Sequence, residues 1–166
     1  RNAGRLIAEG GAQAVKLEGP ASRFGDAIGL ILKAGIPVMG HIGFTPQSVH
    51  QIGGYKVQGR TEDARIRLLE EAMGLQEAGC FSIVLELVEA EVSREITESL
   101  AIPTIGIGAG AGCDGQVLIM HDVLGFNEPK KFFKVFGDVR SLALKAFEDY
   151  VKEVMAGTFP GKEHEH

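Results

Sequence analysis

Short apolar runs rich in Val, Ile and Leu recur along the chain, each followed by glycine-rich turns and then by apolar residues at helical spacing. The runs cover residues 14–19 (AVKLEG), 36–44 (IPVMGHIGF), 81–88 (FSIVLELV), 103–108 (PTIGIG) and 116–122 (QVLIMHD). Near-continuous aliphatic content, rather than alternation with polar residues, is what strands covered on both faces require, and so predicts a parallel sheet. Between the runs, helices are expected over residues 2–9, 21–32, 62–78 and 90–100, with a long last helix after Asp138. Thr61 is placed to cap the helix that carries Glu62 and Asp63 in its first turn, with Ile66, Leu69, Met73 and Leu75 as its apolar stripe up to Gly79. Asp138 is placed likewise ahead of a stripe of Leu142, Phe147, Val151 and Val154.

Strand–helix alternation throughout predicts an α/β fold with about five parallel strands, in one domain over residues 1–166. A doubly wound sheet can be built from that number, whereas a β/α barrel closes with eight strands and roughly 250 residues. If the fold is the barrel, roughly three strands belong ahead of this chain. The first residue is Arg1, and it opens directly into a helical pattern with no capping residue. That start reads as a cut, and the tail through residues 157–161 (GTFPG) reads as a natural ending.

Composition narrows the function classes. Of 166 residues, 45% are hydrophobic and 23% charged, a balance that suits a folded globular chain. The formal net charge of −5 is dispersed, with no basic stripe, so nucleic acid is not an expected partner. No run of about 18 apolar residues predicts a membrane span, and no signal peptide is recognisable. Cys80 and Cys113 lack metal-ligand spacing and read as free thiols of a cytoplasmic protein.

Polar residues gather where the apolar runs end, which in parallel α/β folds is where active sites are built. Lys16 and Glu18 lie two apart in a strand, so they share a face. They read either as an ion pair or as a lysine for a substrate carboxylate beside an oxygen ligand for a hard cation. His41 reads equally as a hydrogen-bonded wall residue or a proton carrier. Glu86 is set deep in the third run, a placement that suits a general base; the competing reading is a glutamate paired for packing reasons. His121 and Asp122, at the end of the fifth run, form a dipeptide found in some metal sites, but alone it is weak. Residues 110–115 (GAGCDG) have the spacing of a dinucleotide-binding fingerprint, yet Gly115 leads into a strand-like run instead of a helix, so a nucleotide is rejected. The glycines there are expected to let backbone approach a ligand.

Residues 40–48 (GHIGFTPQS) and 53–60 (GGYKVQGR) resemble the longest signature of the ketopantoate hydroxymethyltransferase family. Residues 102–110 (IPTIGIGAG), 114–117 (DGQV), 120–122 (MHD) and the tail with Glu163 and His164 are similar to its later segments. The resemblance implies a β/α barrel of the phosphoenolpyruvate/pyruvate type, present here without its first strands. It implies that Lys16 binds a 2-oxo acid, Glu18 belongs to a magnesium site, and Glu86 accepts the proton from the carbon beside the keto group. It further implies Mg2+ as cofactor, 5,10-methylenetetrahydrofolate as one-carbon donor, 3-methyl-2-oxobutanoate as acceptor, and a place in pantothenate and coenzyme A synthesis. A homo-oligomer, of decamer type in the family, is also implied.

The sequence departs from the family pattern in two places: Phe44 replaces a usual leucine, and Leu87, Val88 and Glu89 replace a stretch with Cys or Gly and a proline. The family's two magnesium aspartates and a substrate-binding serine have no counterpart here, so this chain alone is expected to be inactive. Two other readings stand beside the transferase: a magnesium-dependent lyase or mutase of the same barrel superfamily, and a non-catalytic fragment.

Overall fold

The computed structural model describes residues 1–128 and 133–165. The chain divides into two compact units, residues 1–117 and 118–166. In the first unit the elements run α1 (Asn2–Ala8), β1 (Val15–Glu18), α2 (Ala21–Lys33), β2 (Val38–Gly43), α3 (Val49–Ile52), α4 (Glu62–Glu77), β3 (Ser82–Glu86), α5 (Ala90–Ser99), β4 (Thr104–Ile107) and β5 (Gly115–Gln116). The five strands form one sheet in the order β1-β2-β3-β4-β5, every pair parallel. The expected α/β arrangement is therefore present, with neighbouring strands in chain order as successive βα units produce.

Period two sorts each strand onto two faces. One face carries Val15, Val38, Ile42, Ile83 and Leu85, which pack with Ile28 of α2, Leu68, Ala72 and Leu75 of α4, and Val92 and Ile96 of α5. Ile28, Leu75, Ile83, Leu85 and Ile96 are fully buried, each such side chain stabilising the fold by roughly 1.5–3 kcal/mol before its ordering cost. Helix α4 begins as expected, with Thr61 Oγ1 accepting from Ala64 N–H at 3.3 Å. Its buried stripe, however, is Leu68, Ala72 and Leu75, while Ile66 and Met73 are exposed. Two overlapping stripes satisfy helical spacing in this segment. The sheet selects the one that lets Leu75 fit against Gly40, where an added Cβ would meet Leu75 Cδ1 at 2.7 Å. Arg65 donates from Nε to Glu95 at 2.7 Å and ties α4 to α5.

The fifth expected strand is corrected. Pairing continues only through Gln116, with Val117 N–H still donating to the Gly106 carbonyl. His121 and Asp122 lie instead in a one-turn helix of the second unit, α6 (Met120–Val123), where the Ile119 carbonyl accepts from Asp122 and Val123. A short apolar run fits strand and helix alike, and only pairing decides between them. The second unit also holds α7 (Val139–Ala156), capped by Asp138 Oδ1 accepting from Ser141 N–H at 3.0 Å. Leu142, Phe147, Val151 and Val154 of α7 are exposed. No helix among the described residues is long and apolar enough to cross a membrane.

Candidate active site at the carboxyl ends of the strands

Strand register brings the candidate residues together. Glu18 is opposite His41, and Gly43 is opposite Glu86. Because paired positions in a parallel sheet share a face, Lys16, Glu18, His41 and Glu86 all project from the face opposite the helix-covered core. Glu86 is the last residue of β3 rather than deep within it, and its side chain is 18% exposed. The strand stops there because Leu87 turns into the left-handed region at φ 49. Gln58 N–H then donates to the Leu87 carbonyl, and Glu89 N–H to the Gln58 carbonyl.

His41 is 1% exposed and stands between two carboxylates. Its Nε2 is 3.2 Å from Glu86 Oε2, and its Nδ1 is 3.8 Å from Glu18 Oε1. Neither nitrogen is aligned for a hydrogen bond, although the Glu86 contact is within reach of one. A polar ring buried without an aligned partner costs free energy, so the fold holds His41 between the two acids at some expense of stability.

Glu18 is fixed from the far side by the loop after β2, its Oε2 accepting from Gln47 N–H at 3.3 Å. This backbone donor lies within the signature segment, but nothing in side-chain chemistry could have pointed to it. Lys16 is exposed and, among the described residues, has no hydrogen bond or ion pair, so the ion-pair reading of Lys16 with Glu18 is not realised. A cleft of about 480 Å3 opens beside both, lined by Arg23, Phe24, Gln47 and Ser48 as well. His41 and Glu86 lie on the same sheet face, outside that cleft's lining.

Glu18 offers the oxygen ligands a magnesium ion prefers. Among the described residues no group of three or more His, Cys, Asp and Glu side chains converges to hold a metal. Glu18 thus fits as one contributor to a magnesium site, and the residues described here do not make a complete cradle.

The surroundings account for several sequence features. Phe44 is fully buried and stacks on Tyr55 with ring centroids 4.6 Å apart, which gives the departure at this position a packing role. Two glycines of the loop after β4 have a packing role. An added Cβ at Gly110 would lie 2.6 Å from Ala90 Cβ, and one at Gly112 would lie 2.8 Å from Arg94 Cβ, so these glycines let the loop close onto α5. Asp114 anchors the same loop by accepting from Thr104 N–H at 2.8 Å. The loop leads into β5, in agreement with the rejection of a nucleotide site. Burial pushes the Cys80 and Cys113 thiols up from their ordinary value, and both cysteines are free.

Comparison with known proteins agrees over nearly the whole chain. The family model described as ketopantoate hydroxymethyltransferase matches residues 1–162. The 3-methyl-2-oxobutanoate hydroxymethyltransferase of Clostridium novyi is 55% identical over 165 residues, covering 98% of this chain and 60% of that protein. The protein of the same name from Geobacter metallireducens is 53% identical, over 98% of this chain and 61% of its own length. That from Leptospira interrogans serovar copenhageni is 46% identical, over 99% of this chain and 63% of its own length. The chain thus spans about 60% of the length of the curated relatives it matches. Five parallel strands in one sheet are what part of a barrel of this type contains. On the matched model and these identities, the chain belongs to the ketopantoate hydroxymethyltransferase family.

Proposed function

We propose that this chain carries the base and substrate-holding half of an enzyme that transfers a hydroxymethyl group to a 2-oxo acid. The donor is 5,10-methylenetetrahydrofolate, the acceptor 3-methyl-2-oxobutanoate, and the product 2-dehydropantoate, on the route to pantothenate and coenzyme A. One observation carries the reading: Glu86 ends its strand on the same sheet face as Lys16 and Glu18, with its carboxylate 3.2 Å from a buried imidazole.

Each residue then has a role that its chemistry supports. Lys16, free of an acid partner, holds the substrate carboxylate through its ammonium group. Glu18, braced by Gln47 N–H, contributes a carboxylate to magnesium. Magnesium, when bound, supplies a Lewis acid that draws electrons toward the keto oxygen. Glu86 takes the hydrogen from the branched carbon beside the keto group and becomes a carboxylic acid. The electron pair released forms the enolate, whose carbon bonds to the one-carbon unit of the folate donor; both C–N bonds of the methylene bridge break, water supplies the hydroxyl oxygen, and tetrahydrofolate leaves with its two nitrogens protonated.

The reading extends to a cytoplasmic homo-oligomer, supported by the free thiols and by the exposed apolar side chains of α7. The test is the full-length protein with magnesium, 3-methyl-2-oxobutanoate and 5,10-methylenetetrahydrofolate. Formation of 2-dehydropantoate with stoichiometric tetrahydrofolate supports the proposal. Absence of product, with carbon–carbon cleavage of a 2-oxo acid in its place, overturns it.

A further inference from the structure

Glu86 needs something to hold it. Its register partners on either side are Gly43, which has no side chain, and Ile107, which has no donor. The backbone N–H of Phe44, nearest in the loop after β2, is spent on the Glu86 main-chain carbonyl at 2.7 Å. Among the described residues, the one polar side chain recorded beside the Glu86 carboxylate is His41, with Nε2 at 3.2 Å from Oε2. The ring is 1% exposed and neither nitrogen makes a hydrogen bond, the 3.2 Å approach to Glu86 being close enough for one but out of line. A neutral imidazole has one N–H to give, and the nitrogen that carries it is decided by the partner within reach. Oε2 of Glu86 at 3.2 Å is within reach, and Oε1 of Glu18 at 3.8 Å is not.

We propose that His41 is the positioning residue for Glu86: when substrate binding turns the carboxylate into line, as catalytic contacts tighten in the complex, its Nε2–H holds Oε2 and leaves Oε1 aimed at the hydrogen the substrate gives up. The inference rests on the reading of Glu86 as the base. A carboxylate free to rotate about its last two bonds spends much of its time misaligned, and fixing one oxygen selects the productive orientation. The ring touches no substrate in this account. It acts through Glu86 alone, so its removal slows proton abstraction and leaves substrate affinity in place.

Two amide substitutions separate this role from simple packing. In His41→Gln the amide nitrogen reaches about as far as Nε2, whereas in His41→Asn it stops at about the reach of Nδ1. Both are introduced into the full-length protein, with Glu86→Gln made alongside. Exchange of the C3 hydrogen of 3-methyl-2-oxobutanoate into deuterated water is followed without the folate donor, together with kcat and KM for the full reaction and thermal unfolding. The expected result is loss of exchange and of kcat on the order of 10–100-fold in His41→Asn. KM for the 2-oxo acid stays within about threefold, and His41→Gln recovers to within about threefold of the parent. Equal activity in the two amides, or a rise in KM with kcat preserved, overturns the proposal. If His41→Asn does not fold, His41→Gln decides by itself: parental exchange supports the role, and a loss of about tenfold or more overturns it. Parental exchange in Glu86→Gln overturns the base reading and this inference with it. That failure is distinguishable, because it appears in a variant that leaves His41 untouched.

Discussion

Nε2 of His41 lies 3.2 Å from Oε2 of Glu86 although the two residues belong to different strands and are joined only through sheet register. The pairing that sets this distance is Gly43 opposite Glu86, two residues beyond His41 opposite Val84. A slip of one residue would turn Glu86 to the other face. The site therefore depends on features of β2 and β3 that hold register, and several of these can be tested separately from the chemistry.

Gly43 is the tightest of them. Its φ is +92, and an added Cβ would lie 2.3 Å from the Glu86 carbonyl oxygen and 2.6 Å from Val88 Cγ2. Both the backbone conformation and the space exclude a side chain. Gly43→Ala is expected to cost about 1–3 kcal/mol of stability, read as a lower midpoint in chemical denaturation. It should also displace Glu86 and lower activity of the full-length protein. An unchanged midpoint would contradict the close approach.

Thr104 supports the far side of β3 through a buried polar cluster. Its hydroxyl meets Thr97 Oγ1 at 2.8 Å and accepts from Asp114 N–H at 3.3 Å, and the residue is fully buried. Thr104→Val keeps the shape and deletes these bonds. The expected loss is about 1–2 kcal/mol in equilibrium unfolding, with KM unchanged, because the cluster holds the β4–β5 loop and touches no candidate site residue. A stabilised variant would show that the cluster is not satisfied as described.

Much of this was legible beforehand, and the exceptions have physical causes. Lys16 and Glu18 share a face because two-residue spacing in a strand demands it, and the first four apolar runs became strands because their aliphatic content suits a covered parallel sheet. The contact between His41 and Glu86 was not legible, since register is a property of paired strands and not of either one. Residues 117–122 kept a strand-like composition but met no strand to pair with beyond Val117, so His121 and Asp122 turned into a helix. The packing of Gly110 and Gly112 against Ala90 and Arg94 was not legible either, because it joins a loop to a helix that precedes it by some twenty residues.

Asp138 gives a pH dependence with a definite sign. The backbone N–H of Ser141, then its side chain, hold the Asp138 carboxyl below the usual aspartate range. A depressed folded value means that the cap stabilises α7 in full above the unfolded value, about 3.9, and that this stabilisation is lost as pH falls through the folded one. Helical content by far-ultraviolet circular dichroism should therefore decline in acid, and Asp138→Ala should lack that increment at neutral pH already. A variant with the parent's full acid transition would place the pH dependence elsewhere.

The central claim is that Glu86 removes the hydrogen from the branched carbon of the 2-oxo acid. Its most direct measurement is hydrogen–deuterium exchange at C3 of 3-methyl-2-oxobutanoate, followed by proton NMR with the full-length protein and magnesium but no folate donor. The account predicts steady exchange in the parent and a loss on the order of 100-fold or more in Glu86→Gln, with the substrate still bound. Exchange at the parental rate in Glu86→Gln would contradict it.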